Sequence, residues 1–290
     1  MTHIMLQSLP LDMINYHIVP VLSELDVFCL DIVLRRQRLF GKEYFPERIH
    51  ELLIKEGMHR YQYFNKLGML DTTASMNYAA KYGQLDILQH GKEHKYVFNN
   101  KAINNAAEYD HLECIKFLLT CGLFCSGNTV IAAARGGHLH IVKYVARKHK
   151  GKNKGDQKDA VIAAAKHGHL EVFTYLTSLL YKIDCFRDSF DAAVIGGHIP
   201  VLSDILTRAY DINMYYTHRG YDLAIKHKQY DVLVYSITRW KYPQAYNIAV
   251  QYNDARALQI LYDNNVQLPY HPMLLGANEE VLTWFEALRA

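Results

Sequence analysis

Two histidine pairs, His138/His140 and His167/His169, each stand two residues apart. Paired imidazoles are common ligands of transition metals. Only one member of each pair falls in a turn, and no third or fourth ligand recurs at the spacing of a zinc finger. The pattern favours a different chemistry, in which a turn imidazole bonds the backbone of an adjacent hairpin and braces a stack. Cys121 and Cys125 are four apart without a matching pair, so no metal ligand is assigned. Catalytic spacing is absent as well: there is no His-Glu-x-x-His, nucleophile elbow, phosphate-cradling glycine loop or kinase signature. No catalytic residue or cofactor is expected, and the chain reads as a non-enzyme.

Two clusters offer binding chemistry instead. Lys143, Arg147, Lys148, Lys150, Lys152, Lys154 and Lys158 face a single acid, Asp156, and read as a loop between repeats. Basic residues there suit a helix C-terminus in solvent. They also suit contact with an acidic segment or phosphate backbone, or a nuclear-import patch. The second cluster is Tyr215, Tyr216, His218, Arg219 and Tyr221, read as another inter-repeat loop. Aromatic and arginine side chains anchor protein interfaces, and the alternative is packing of that loop onto its own helices.

The elements that must position these residues come from a repeated phrase. Ala133-Ala134-Arg135-Gly136-Gly137-His138-Leu139 returns as Ala164-Ala165-Lys166-His167-Gly168-His169-Leu170 and, more loosely, as Ala193-Val194-Ile195-Gly196-Gly197-His198-Ile199. Upstream forms end in Gly83-Gln84-Leu85 and Asp110-His111-Leu112. The apolar anchors Leu85, Leu112, Leu139, Leu170, Ile199 and Tyr230 are separated by 27, 27, 31, 29 and 31 residues. Each unit holds a short helix, a tight turn, a second helix and a loop. Stripes such as Ile141, Val142 and Val145 must be covered by the next copy, so the hairpins stack. Two degraded copies follow, at Ala249–Leu261 and Gly276–Phe285. The exposed acids Glu279, Glu280 and Glu286 suit a capping repeat.

The frame in residues 106–119, 133–145 and 164–176 resembles the ankyrin repeat family. The family's Thr-Pro-Leu-His opening is missing, and the spacing is shorter than the usual run of roughly 33 residues. Short repeats of this style resemble those of giant DNA viruses of amoebae. The resemblance implies an all-α helical-hairpin solenoid, with Gly83, Leu85, His111, Leu112, Gly137, His138, Leu139, Gly168, His169, Leu170, Gly197 and His198 as its structural positions. It also implies a non-enzymatic protein-interaction role. Residues 75–290 are assigned to the array, and residues 46–74 to a helical segment read as a degenerate first repeat.

Residues 1–45 lack the frame. Leu9-Pro10 opens a helical pattern through Ile14, Ile18 and Leu22, and Asp26 precedes a second apolar run. This stretch resembles a divergent F-box, with Gln37 and Leu39 where the family's terminal tryptophan is usual. Through Leu9, Pro10, Ile14, Ile18 and Leu22, that resemblance implies recruitment of the adaptor subunit of a host cullin-type ubiquitin ligase, with the repeats delivering the substrate. The alternative is a helical cap on the stack, which leaves a purely structural or masking interactor.

Five cysteines without a paired framework suit free thiols in a reducing compartment. No run is long enough to span a membrane, so an intracellular place, host cytoplasm or nucleus, is expected. A net charge of +3 leaves nucleic acid only as a weak, non-specific contact. A host protein is the expected partner.

Overall fold

A computed structural model describes residues 54–55, 57–66, 71–148, 154–179, 185–208, 214–268 and 276–288. Every regular element among them is helical and none is a strand. The chain divides into two units, residues 1–102 and 103–290. The residues of the F-box-like segment, Leu9, Pro10, Ile14, Ile18 and Leu22, lie outside the described residues.

In the first unit, α1 (Met58–Lys66), α2 (Thr72–Lys81) and α3 (Leu85–Glu93) surround Tyr61, Met76, Ala79, Ala80, Ile87 and Leu88, all without exposed surface. Asp71 starts α2 by accepting the Ala74 N–H at 2.8 Å, the bond that an N-cap carboxylate makes to an otherwise orphaned amide. α4 (Asn100–Glu108) carries the division between the units.

The second unit continues as α5 (Leu112–Thr120), α6 (Gly127–Gly136), α7 (Leu139–Lys148), α8 (Lys154–Lys166), α9 (Leu170–Leu179), α10 (Phe186–Gly196), α11 (Ile199–Arg208), α12 (Met214–Lys226), α13 (Tyr230–Arg239), α14 (Ala245–Gln251), α15 (Ala255–Asp263) and α16 (Glu279–Ala287). First helices pack in sequence, α6 on α8, α8 on α10, α10 on α12 and α12 on α14. Second helices form a parallel row, with α7 on α9, α9 on α11 and α13 on α15.

One turn geometry makes the six hairpins from α4–α5 to α14–α15. The first helix ends at a residue with left-handed φ: Asp110, Gly137, Gly168, Gly197, Lys228 or Asn253. The next N–H then returns to a carbonyl five residues back: His111 to Ala106, His138 to Ala133, His169 to Ala164, His198 to Ala193, Gln229 to Ala224 and Asp254 to Ala249. This closure satisfies a carbonyl that the helix end would otherwise orphan. All six acceptors are alanines with no exposed surface. The Ala pairs therefore set both the turn and the closeness of the stack.

Two sequence expectations are corrected here. The aromatic cluster at 215–221 is not a loop; it lies within α12. Lys154 and Lys158 are likewise helical, in α8. Lys148 ends α7, and Lys150 and Lys152 fall outside the described residues.

Candidate partner-binding surface

The turn histidines do brace the stack. His138 Nε2 lies 3.0 Å from the Glu108 carbonyl, His169 Nε2 2.8 Å from that of Arg135, and His198 Nε2 3.0 Å from that of Lys166. Gln229 makes the same bond, donating from Nε2 to Ile195 O at 2.8 Å. Each acceptor sits two residues before a left-handed turn residue of the preceding repeat. In the first unit Gln84 Nε2 reaches Lys55 O, two residues before Gly57, whose φ is +97°. Brace and turn are mutually dependent: a Cβ on Gly137 would run into the His169 ring, and one on Gly168 into the ring of His198. Glycine at these places meets two demands at once, a positive φ and room for the following repeat's imidazole.

The second member of each histidine pair does something else. His140 Nε2 lies 3.1 Å from Asp110 Oδ1, which also faces His138 Nδ1 at 3.5 Å. His167 is exposed on the turn. Burial, then His169, Arg135 and Lys166, hold its pKa below the ordinary imidazole value. No three metal-ligating side chains among the described residues are placed to hold an ion.

The aromatic cluster divides. Tyr221 has no exposed surface, and its hydroxyl donates to the Trp240 carbonyl; burial pushes its phenol pKa up. Its place in the proposed contact surface is corrected: it is a core residue, on the α12 face turned toward the hairpin. Tyr216 packs edge-on against Phe190, ring centroids 4.9 Å apart, and His218 meets the Tyr242 ring edge at 6.0 Å. The backbone of Tyr215 is helical and its side chain is outside the described atoms.

Arg219 stands out. Its Nε and Nη2 both donate to Asp191 Oδ2, at 3.0 and 2.9 Å, and Nη1 approaches Asp222 Oδ2 at 3.5 Å. Tyr252 then donates to Asp222 Oδ1 at 3.0 Å. One polar chain thus crosses the first-helix face of three repeats, while the arginine remains 41% exposed. Asp191, Asp222 and Tyr252 were not among the sequence candidates. Their signal was available: Asp191 and Asp222 each stand six residues before a left-handed turn residue, Gly197 and Lys228. Lys158 pairs with Asp188 between neighbouring first helices, and at the turn end Arg135 pairs with Glu108 at 3.2 Å.

Lys148 is exposed at the end of α7 and contributes to the field at Cys125, a thiol whose pKa burial raises. No helix among the described residues is long and apolar enough to cross a membrane.

A family model for ankyrin repeats, in three copies, matches residues 103–189. None of the curated proteins compared with the chain matches it. The chain therefore has ankyrin repeats within an all-α solenoid, a non-catalytic fold that generally mediates protein–protein interaction.

Proposed function

We propose that this chain is a non-enzymatic binding module that takes its protein partner on the first-helix face around α12. The observation that supports this reading is Arg219. Its guanidinium is held in a fixed fork by Asp191 yet remains open to solvent beside Tyr216. An arginine already ordered loses little side-chain freedom on binding, which favours its use as an anchor. In the same reading the basic group Lys148, Lys150, Lys152 and Lys154 adds electrostatic attraction, and Tyr215 is kept as a candidate contact beside His218, which is exposed on α12.

The finer reading makes the chain a substrate receptor: the segment containing Leu9, Pro10, Ile14, Ile18 and Leu22 recruits the adaptor of a host cullin-type ubiquitin ligase, and the repeats deliver the target. The resemblance of that segment to an F-box supports it. The short-repeat style, similar to that of giant DNA viruses of amoebae, supports a host protein as target and the host cytoplasm or nucleus as the place of action.

Affinity capture from host lysate with the full chain tests both levels. The expected result is co-capture of the adaptor and a target. Deleting residues 1–40 should remove the adaptor alone, and joint Tyr216→Ala and Arg219→Ala substitution should remove the target alone. An adaptor absent from the full-length capture reduces the chain to a masking interactor with a capped stack. A target retained by the double variant places the contact surface elsewhere.

A further inference from the structure

The brace bonds order a second edge of the molecule that the first-helix face does not use. Because His169, His198 and Gln229 grip the carbonyls of Arg135, Lys166 and Ile195 in turn, these residues line up one per repeat beside the turns. Lys226 holds the same place in the next repeat, two residues before the left-handed Lys228. Arg135, Lys166, His167, Lys226, His227 and Lys228 are all exposed. Acids on this edge are unevenly placed. Glu108 and Asp110 sit at the first turn, where Arg135, His138 and His140 already face them. Farther along stand Glu171 and Asp231, exposed in the first turns of α9 and α13. Between the cations of α8 and those of α12 lies an uncharged gap, the half-buried Ile195 with Gly196.

We propose that this turn edge is a separate interaction surface, fitted to an extended acidic polypeptide segment whose carboxylates meet Lys166 and the Lys226–Lys228 group and whose intervening apolar side chain covers Ile195. Neighbouring helices pack about 8–10 Å apart, so the two cationic groups are roughly 16–20 Å from each other. Five extended residue steps cover about that distance. A polypeptide can leave neutral residues opposite Glu171 and Asp231. A nucleic acid strand carries a charge at every nucleotide and would set phosphates against both. Burial first, then His169, Arg135 and Lys166 against an opposing Glu108, holds the His167 titration down, so this ring reports on the charges gathered at the α8 end.

The test uses the full chain and a fluorescein-labelled peptide with two glutamate pairs separated by four residues, an isoleucine among them. Anisotropy should show binding that weakens as salt rises. Joint Lys166→Glu and Lys226→Glu substitution should weaken it about tenfold or more. Lys148→Ser with Lys154→Ser should leave it unchanged. In the unaltered protein, bound peptide should move the His167 ring titration, followed by NMR, to higher pH, a change that binding elsewhere does not produce. The proposal is overturned by a peptide that does not bind, by an affinity indifferent to the double reversal, or by loss of binding in the serine variant. Tighter binding of a single-stranded oligonucleotide that displaces the peptide overturns it too, and assigns the edge to nucleic acid.

Discussion

The central and the C-terminal turns of the second unit solve one problem in two ways. At His138, His169 and His198 the residue before the second helix turns backward and bonds the previous repeat. At Asp254 and Asn278 the equivalent side chain stays home and caps its own helix, accepting from Ala257 N and Val281 N at 3.0 Å each. Coupling between repeats then passes to tyrosines: Tyr230 donates to the Asp254 carboxylate, and Tyr252 to Asp222. Gln229 lies at the join, bracing backward without capping its own helix. One side chain does not serve both purposes, so a stack must choose at each turn whether local or neighbour cohesion is bonded directly.

The sharpest way to break this comparison is at the turn glycine. Gly168→Ala meets a strained backbone, at about 1–2 kcal/mol, and displaces the His198 brace, for a total of about 2–3 kcal/mol by urea unfolding. In a His198→Ala background the same substitution should cost only the backbone part, a coupling that a double-mutant cycle reads directly. Equal costs in both backgrounds would show that brace and glycine are independent. Lys228→Gly, at a turn already left-handed without glycine, should change stability by less than about 1 kcal/mol.

Next in size is Asp254→Ala. It removes a helix cap and leaves the Tyr230 hydroxyl without its acceptor, for a loss of about 1–2 kcal/mol. His169→Ala should cost less, about 0.5–1 kcal/mol, because its bond to Arg135 O is exposed. The reverse order would mean that neighbour cohesion outweighs capping. The smallest effect is acid sensitivity. His167 has a lowered folded-state pKa, so the fold favours the neutral ring. Its contribution is fully present above the ordinary imidazole value near 6.5 and is lost as pH falls through the lower folded value. His167→Gln should flatten the melting temperature against pH in that window; an unchanged slope would assign it to other groups.

The hairpins were legible in sequence because their turn is local, and the braces because the frame recurs once per repeat. The frame Ala-Ala-x-x-Gly-His-Leu places a buried acceptor, a left-handed residue and a ring within seven positions, and a ring at that place can reach back to the neighbouring turn. The partner surface was legible only in part. Tyr215 to Tyr221 read as a loop since Asp211, Asn213 and adjacent tyrosines suggest an irregular segment. The packing of Tyr216 on Phe190 and the burial of Tyr221 hold it in α12, and neither can be counted from the local pattern. Left-handed Asp110, Lys228 and Asn253 were missed for a related reason: no glycine marks them, and the turn is imposed by the hairpins on either side.

Direction is built into the braces. Every one of these donors, from Gln84 to Gln229, follows its acceptor in the chain by about thirty residues. During synthesis the carbonyl therefore leaves the ribosome first, and the ring or amide that grips it arrives one hairpin later. A growing chain can lock each repeat onto finished structure, with no brace waiting for a distant segment still to be made. Assembly in the order of translation is thus written into the polarity of a single hydrogen bond.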